Sequence, residues 1–147
     1  MTRLVAAISL ILAFLVAPAF AQERGTPDEA KALAEKAAVF FEENGLEASH
    51  DAFDDQNGPW FDRDLYVFVY ALDGTNLILA SKPQLEGQNL MELKDAEGKN
   101  IIKEFVQVED RGWVEYKWPN PVNNKIEDKA SWIIRLGDYV LGVGAYK

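Results

Sequence analysis

No cysteine occurs among the 147 residues, which removes disulfides, thiolate metal sites and thiol nucleophiles together. Histidine is almost as scarce. His50 stands alone with Asp51 beside it, and adjacent residues on a helix do not face each other. The residue patterns of common hydrolases and nucleotidases are missing as well: there is no G-x-S-x-G elbow, no H-E-x-x-H pair and no glycine-rich phosphate loop. The expectation is a protein that is not an enzyme, with no cofactor and with His50 as an ordinary surface side chain. Positive charge is also in short supply, since 15 Lys and Arg against 24 Asp and Glu leave a net charge of −9. That balance argues against nucleic acid, whose phosphates require a basic face, and against anionic lipid surfaces. It leaves room for an anionic small molecule, because one buried cation creates a local site inside an acidic protein.

Long apolar runs are confined to the start of the chain. After Met1-Thr2-Arg3 the sequence is nearly unbroken apolar from Leu4 to Phe20, then exits through Ala19-Phe20-Ala21 into Gln22-Glu23-Arg24. A positive start, an apolar middle and an A-x-A exit predict a secretory signal peptide over residues 1–21, cut after Ala21. The alternative is an uncleaved anchor, since a run of about seventeen apolar residues approaches the lower limit for spanning a bilayer; Pro18 and the small exit residues favour cleavage. Arg3 is the one charged side chain removed with the peptide, so residues 22–147 carry −10 and are expected to form one periplasmic or secreted domain. With 48% hydrophobic and 12% aromatic residues, a core without disulfides is feasible at this size. The acidic stretch Asp51, Asp54, Asp55 and Asn57-Gly58 lacks the alternating spacing of an EF-hand loop. It reads as a solvated turn, and no metal site is expected.

Local patterns predict helices first and strands after them. Thr26-Pro27-Asp28-Glu29 has the form of a capping box with proline at the first helical position, and Leu33, Ala37, Phe40 and Phe41 recur at helical spacing. Asn44-Gly45 supplies a stop, and a second short helix is expected over Leu46–Phe53. Leu65–Ala71 is β-branched and aromatic and apolar on both faces, as for a central strand covered on both sides. Asp73-Gly74 marks a hairpin returning through Leu77–Ala80. Residues Pro83–Asn89 read as irregular and Asn100–Glu109 as a helix. Strands over Gly112–Trp118, Ala130–Leu136 and Tyr139–Ala145 close the chain, the last two joined at Gly137-Asp138. The sum is an α+β domain, one antiparallel sheet with the N-terminal helix on a face.

The densest segment is Gly112-Trp113-Val114-Glu115-Tyr116-Lys117-Trp118-Pro119-Asn120-Pro121. Strand alternation places Val114, Tyr116 and Trp118 on one face and Trp113, Glu115 and Lys117 on the other. Composition alone leaves two readings of the first face: aromatics filling the core, or aromatics walling a small-molecule pocket.

A wider set of pieces bears on that choice. They are Tyr66-Val67-Phe68-Val69 with Asp73-Gly74, Leu85-Glu86-Gly87-Gln88-Asn89-Leu90, the segment just quoted, Lys129-Ala130-Ser131-Trp132, and Gly137-Asp138-Tyr139-Val140-Leu141-Gly142-Val143-Gly144-Ala145-Tyr146. In this order, from about Leu33 to Tyr146, the chain resembles a single Cache domain of the second type, the extracytoplasmic sensor module of bacterial chemoreceptors and sensor kinases. The resemblance implies a PAS-like antiparallel sheet with a long N-terminal helix and a pocket on the sheet for a small organic acid or similar metabolite. It assigns Tyr116 and Trp118 to the pocket wall and Lys129 to the ligand's carboxylate, with Phe68 and Tyr70 completing the pocket from the central strand. A lysine among aromatic walls suits that role, since ionic attraction strengthens in a partly dry pocket. Two positions depart from the family pattern: Ala80-Ser81-Lys82-Pro83 stands where a histidine–proline pair is usual, and Trp132 where tyrosine is. The chain reaches Lys147 with no membrane helix or signalling domain after the sheet, so a free-standing module is expected, presenting its bound state to a membrane receptor or sensor kinase. The alternative is an interaction module that docks on such a partner with no ligand of its own. Long N-terminal helices in this family can pair, so the resemblance leaves both a monomer and a homodimer open.

Overall fold

Helix α1 runs Pro27–Phe53 and begins as the capping box predicts. The Thr26 hydroxyl accepts the Glu29 N–H at 3.2 Å, and the Glu29 carboxylate accepts the Thr26 N–H at 2.7 Å. At Gly45 the backbone leaves the helix, with φ 78° and ψ 179°, a conformation open to glycine and strained for other residues. The span Pro27–Phe53 is therefore two helices meeting at a break at Gly45, as expected from Asn44-Gly45. The computed structural model describes residues 23–147; the expected signal peptide and its cut after Ala21 lie outside the described residues.

Six strands follow: β1 Phe61–Asp62, β2 Leu65–Ala71, β3 Asn76–Leu79, β4 Arg111–Pro119, β5 Ile126–Leu136 and β6 Tyr139–Tyr146, with helix α2 at Ile101–Val106. They form one antiparallel sheet in the order β1-β2-β6-β5-β4, with β3 also paired to β2. Most predicted elements stand within a residue or two. Strand β5 starts four residues earlier than expected, because its polar beginning carries no hydrophobic signal and is held by pairing instead: Lys117 lies opposite Asp128 and bonds it at 2.6 Å. Helix α2 is shorter than expected at its C-terminal end, where Arg135 of β5 donates to the Val106 carbonyl at 3.1 Å. The two-residue β1 and a 3-10 turn at Pro83–Leu85 carry no pattern long enough to read.

Alternation along β2 sends Leu65, Val67 and Val69 to one face and Tyr66, Phe68 and Tyr70 to the other. On the first face α1 lies across β5, β6 and β2. Its buried stripe is mostly small, Ala30, Ala34, Ala37 and Ala38, followed by Phe41, so the helix approaches the sheet closely. Phe40, Phe53 and Trp60 close that core with ring centroids 5.0–5.6 Å apart. On the second face α2 and the segment before it cover the aromatics through Ile101, Ile102 and Phe105. That segment is tied to the outer strand: Asp95 accepts the Lys117 N–H at 3.0 Å through one oxygen, and the Lys99 and Glu97 N–H groups through the other.

Candidate functional site

The second face holds the site. Tyr66, Phe68 and Tyr70 of β2, Leu79 of β3, Tyr116 and Trp118 of β4, Lys129 of β5 and the three α2 side chains line one cavity. All five residues expected at the pocket, Phe68, Tyr70, Tyr116, Trp118 and Lys129, meet there. The other face of β4 also goes where parity sends it. Trp113 is 42% exposed and packs beside Trp132, 5.2 Å between centroids.

Room for a long side chain on this face comes from two glycines of β6. Gly142 stands between Phe68 and Ile133, and Gly144 lies opposite Ser131. A Cβ at Gly142 would overlap the Phe68 ring, and one at Gly144 would overlap Ser131 Oγ and Lys129 Cε. The Gly-Val-Gly-Ala-Tyr motif thus makes the hollow in which Lys129 lies.

Lys129 is 1% exposed. Its Nζ donates to Tyr66 Oη at 2.8 Å, reaches Tyr146 Oη at 3.5 Å, and sits 4.0 Å and 4.7 Å from the centroids of those rings. Tyr146 Oη donates to the Pro119 carbonyl at 2.8 Å. A hydroxyl has one proton, so at the 3.2 Å contact between the two phenols Tyr66 donates and Tyr146 accepts. The chain of donors therefore runs from Lys129 through Tyr66 and Tyr146 to Pro119, and the ammonium keeps further N–H capacity. Beside it Tyr116 and Ser131 hydroxyls bond at 2.8 Å.

Among the described residues no carboxylate forms an ion pair with Lys129. Burial lowers its pKa, and the neighbouring Tyr66 and the charge of the buried Asp64 only partly oppose this. A buried ammonium that touches only phenols and ring faces, with Asp64 felt through its field and not through a hydrogen bond, is under-compensated. The shift of the Tyr70 and Tyr116 phenols is upward, from burial first, so they are neutral hydroxyls that can donate. The enclosed volume is about 10 Å³, room for one water at most. A more polar hollow of about 290 Å³, lined by Asp95, Lys99, Glu115 and Lys117 among others, shares Tyr116 and Lys129 with it.

Several site residues escaped the sequence reading. Tyr66 had a signal, since it shares strand parity with Phe68 and Tyr70. Ile101, Ile102 and Phe105 had none, because their place depends on how α2 folds back. The solitary reading of His50 needs correction. Its Nε2 lies 3.0 Å from Glu86 Oε2, a partner 36 residues away, while Asp51 is only a loose neighbour at 3.9 Å. The stretch after it is a turn as expected at Asp55, whose carboxylate accepts the Asn57 N–H at 2.9 Å. Among the described residues no helix is long and apolar enough to cross a membrane.

Comparison with known proteins gives this geometry a context. Residues 12–147 match the family model described as single Cache domain 2. A sensor histidine kinase of Rhizobium johnstonii, MctS, is 32% identical over 90 residues; these are 58% of this chain and 20% of the kinase, so the chain spans about a fifth of that relative's length. The crystal structure of a methyl-accepting chemotaxis protein from Vibrio parahaemolyticus superposes with a TM-score of 0.71 at 27% identity, covering 81% of this chain and 86% of that one. A Cache chemosensory domain described for its recognition of carboxylic acid shares the fold, with a TM-score of 0.70 at 20% identity over 81% of this chain and 91% of that one.

Proposed function

Since the chain belongs to the single Cache domain 2 family, a family of sensory and not catalytic domains, we propose that it senses a small metabolite bearing one carboxylate and a short apolar body. The observation that carries this reading is Lys129, a fully buried amine with no carboxylate partner among the described residues, aimed into an aromatic cavity. An incoming carboxylate supplies the missing charge and accepts from Lys129 Nζ, with the Tyr116 hydroxyl beside it. Phe68, Tyr70, Trp118 and Phe105 then face the apolar remainder. Among the described residues Lys129 is the one cationic side chain lining the cavity, which favours monocarboxylates over dicarboxylates.

A cavity of about 10 Å³ is smaller than any such ligand. Binding on this reading is coupled to opening, with α2 moving as the wall and the polar hollow beside Tyr116 and Lys129 as the way in. That movement is also the signal: the bound form differs in shape from the free form, and a membrane receptor or sensor kinase reads the difference. Export by the Leu4–Phe20 segment, with cleavage after Ala21, places the domain outside the cytoplasm in the same reading, and pairing through α1 would make it a homodimer.

The small cavity favours one other reading, an interaction module with a filled core that docks on a membrane partner without a ligand. Burial of Lys129 counts against it, since a closed core gains nothing from an ammonium. Calorimetry and thermal shift with short monocarboxylates, each against its amide and its dicarboxylate homologue, separate the two. A monocarboxylate is expected to bind and raise Tm, the amide is not, and Lys129→Met is expected to weaken binding by about 2 kcal/mol or more, roughly 30-fold. Absence of any binding acid, or equal affinity in Lys129→Met, sinks the ligand reading.

A further inference from the structure

A second group of converging side chains lies outside the aromatic cavity. His50 and Asp54 are four residues apart at the end of α1, a spacing that puts them on one side, and Glu86 reaches them from just after the Pro83–Leu85 turn. One ligating atom from each falls within 4.8 Å of the other two. His50 Nε2 and Glu86 Oε2 are already 3.0 Å apart. Glu86 is fixed by its other oxygen, which accepts the Leu79 N–H at 2.6 Å. Asp54 Oδ1 is shut off from water and meets no hydrogen-bond donor. Among the described residues no lysine or arginine pairs with Asp54 or Glu86, and the side chain that meets Glu86 is His50. Two carboxylates pressed together with an orphaned oxygen and one imidazole lack positive charge at that point.

We propose that His50, Asp54 and Glu86 bind a divalent transition ion of the zinc type, with water completing its shell. The donor set selects the ion: one imidazole nitrogen and two carboxylate oxygens suit zinc, whereas calcium takes six or more oxygens and magnesium keeps an octahedral oxygen shell. Zinc–ligand bonds of about 2.0–2.2 Å in a tetrahedron put ligand atoms roughly 3.3–3.5 Å apart. The His50–Glu86 pair is close to that separation, and the widest gap must narrow by little more than about an ångström. With His50 half-exposed and the carboxylates more enclosed, an ion has access from solvent while its oxygen ligands are held. Through Glu86 the ion is also tied to Leu79, a wall of the aromatic cavity.

The test is direct because the chain has one histidine. Zinc chloride is titrated into the untagged protein, in a buffer free of carboxylates and chelators, with calorimetry and with NMR of the imidazole ring. The expected result is one equivalent bound, ring signals of His50 shifting to saturation at that ratio, and calcium chloride competing poorly. His50→Ala and Asp54→Asn are expected to weaken zinc binding by about tenfold or more. Glu86→Gln should do the same, and its amide oxygen can still accept from Leu79. Circular dichroism reports whether each variant folds, and the ring signals of the unaltered protein decide the matter without any variant. Ring signals unmoved at one equivalent, a preference for calcium, or undiminished binding in folded His50→Ala overturns the site.

Discussion

The two faces of the sheet are built by alternate residues of the same strands, yet they are different kinds of interior. Toward α1, Leu65, Val67, Val69, Leu141 and Val143 meet an alanine stripe and a phenylalanine–tryptophan cluster. Toward α2, Tyr66, Phe68, Tyr70 and Tyr116 surround a buried amine and a relay of hydroxyls. The first face is apolar but for the buried Ser49 and is closed by the 27-residue helical span Pro27–Phe53. The second carries polar groups whose desolvation needs compensation, under a six-residue helix with far less to hold it. On the proposed reading, a sheet of this construction keeps its stability on one side and its capacity to respond on the other.

Substitutions can break that contrast, and the largest effect is expected on the α1 side. Phe53 is fully buried between Phe40 and Trp60, so Phe53→Ala should lower unfolding free energy by about 3–5 kcal/mol in urea. Binding of a monocarboxylate by the remaining folded protein should be unaltered. A matching loss of affinity would show that the two faces are not separate.

A smaller loss is expected from Gly144→Ala, whose Cβ has no space beside Ser131 Oγ and the Lys129 stem. Denaturation should register about 1–3 kcal/mol, and calorimetry should register loss of carboxylate binding out of proportion to it. Retention of full affinity would show that Lys129 does not need the hollow that glycine makes.

The least stability change belongs to Lys129→Met, and there the sign carries the information. Burial lowers the Lys129 pKa below its ordinary 10.5, so between the folded value and 10.5 the unfolded chain binds more protons than the folded one. Stability relative to Lys129→Met should therefore rise with pH across that window and level off above it. At neutral pH methionine should be neutral or stabilising. A variant clearly less stable than the parent at neutral pH would mean that the amine holds the free fold together, and would remove the physical reason for a ligand.

Much of this architecture was readable before the fold. The capping box at Thr26, the break at Gly45, the double-sided strand Leu65–Ala71 and the split of β4 into Tyr116 and Trp118 against Trp113 all follow from rules acting over a few residues. The resemblance pointed to Lys129. What could not be read is whatever depends on distant partners: the polar start of β5, the wall supplied by α2, and the meeting of His50 with Glu86.

Residue order alone thus determined helix ends, strand faces and the two-sided character of the sheet, because periodicity and capping are set by local covalent geometry. Only the tertiary structure decided that Lys129 is buried beneath Tyr66 and Tyr146 with no carboxylate paired to it among the described residues, and that two glycines of β6 open the space it occupies. Burial and charge compensation depend on what lies across the sheet, and strand pairing between β2, β5 and β6 brings those groups together over 63 and 80 positions of chain.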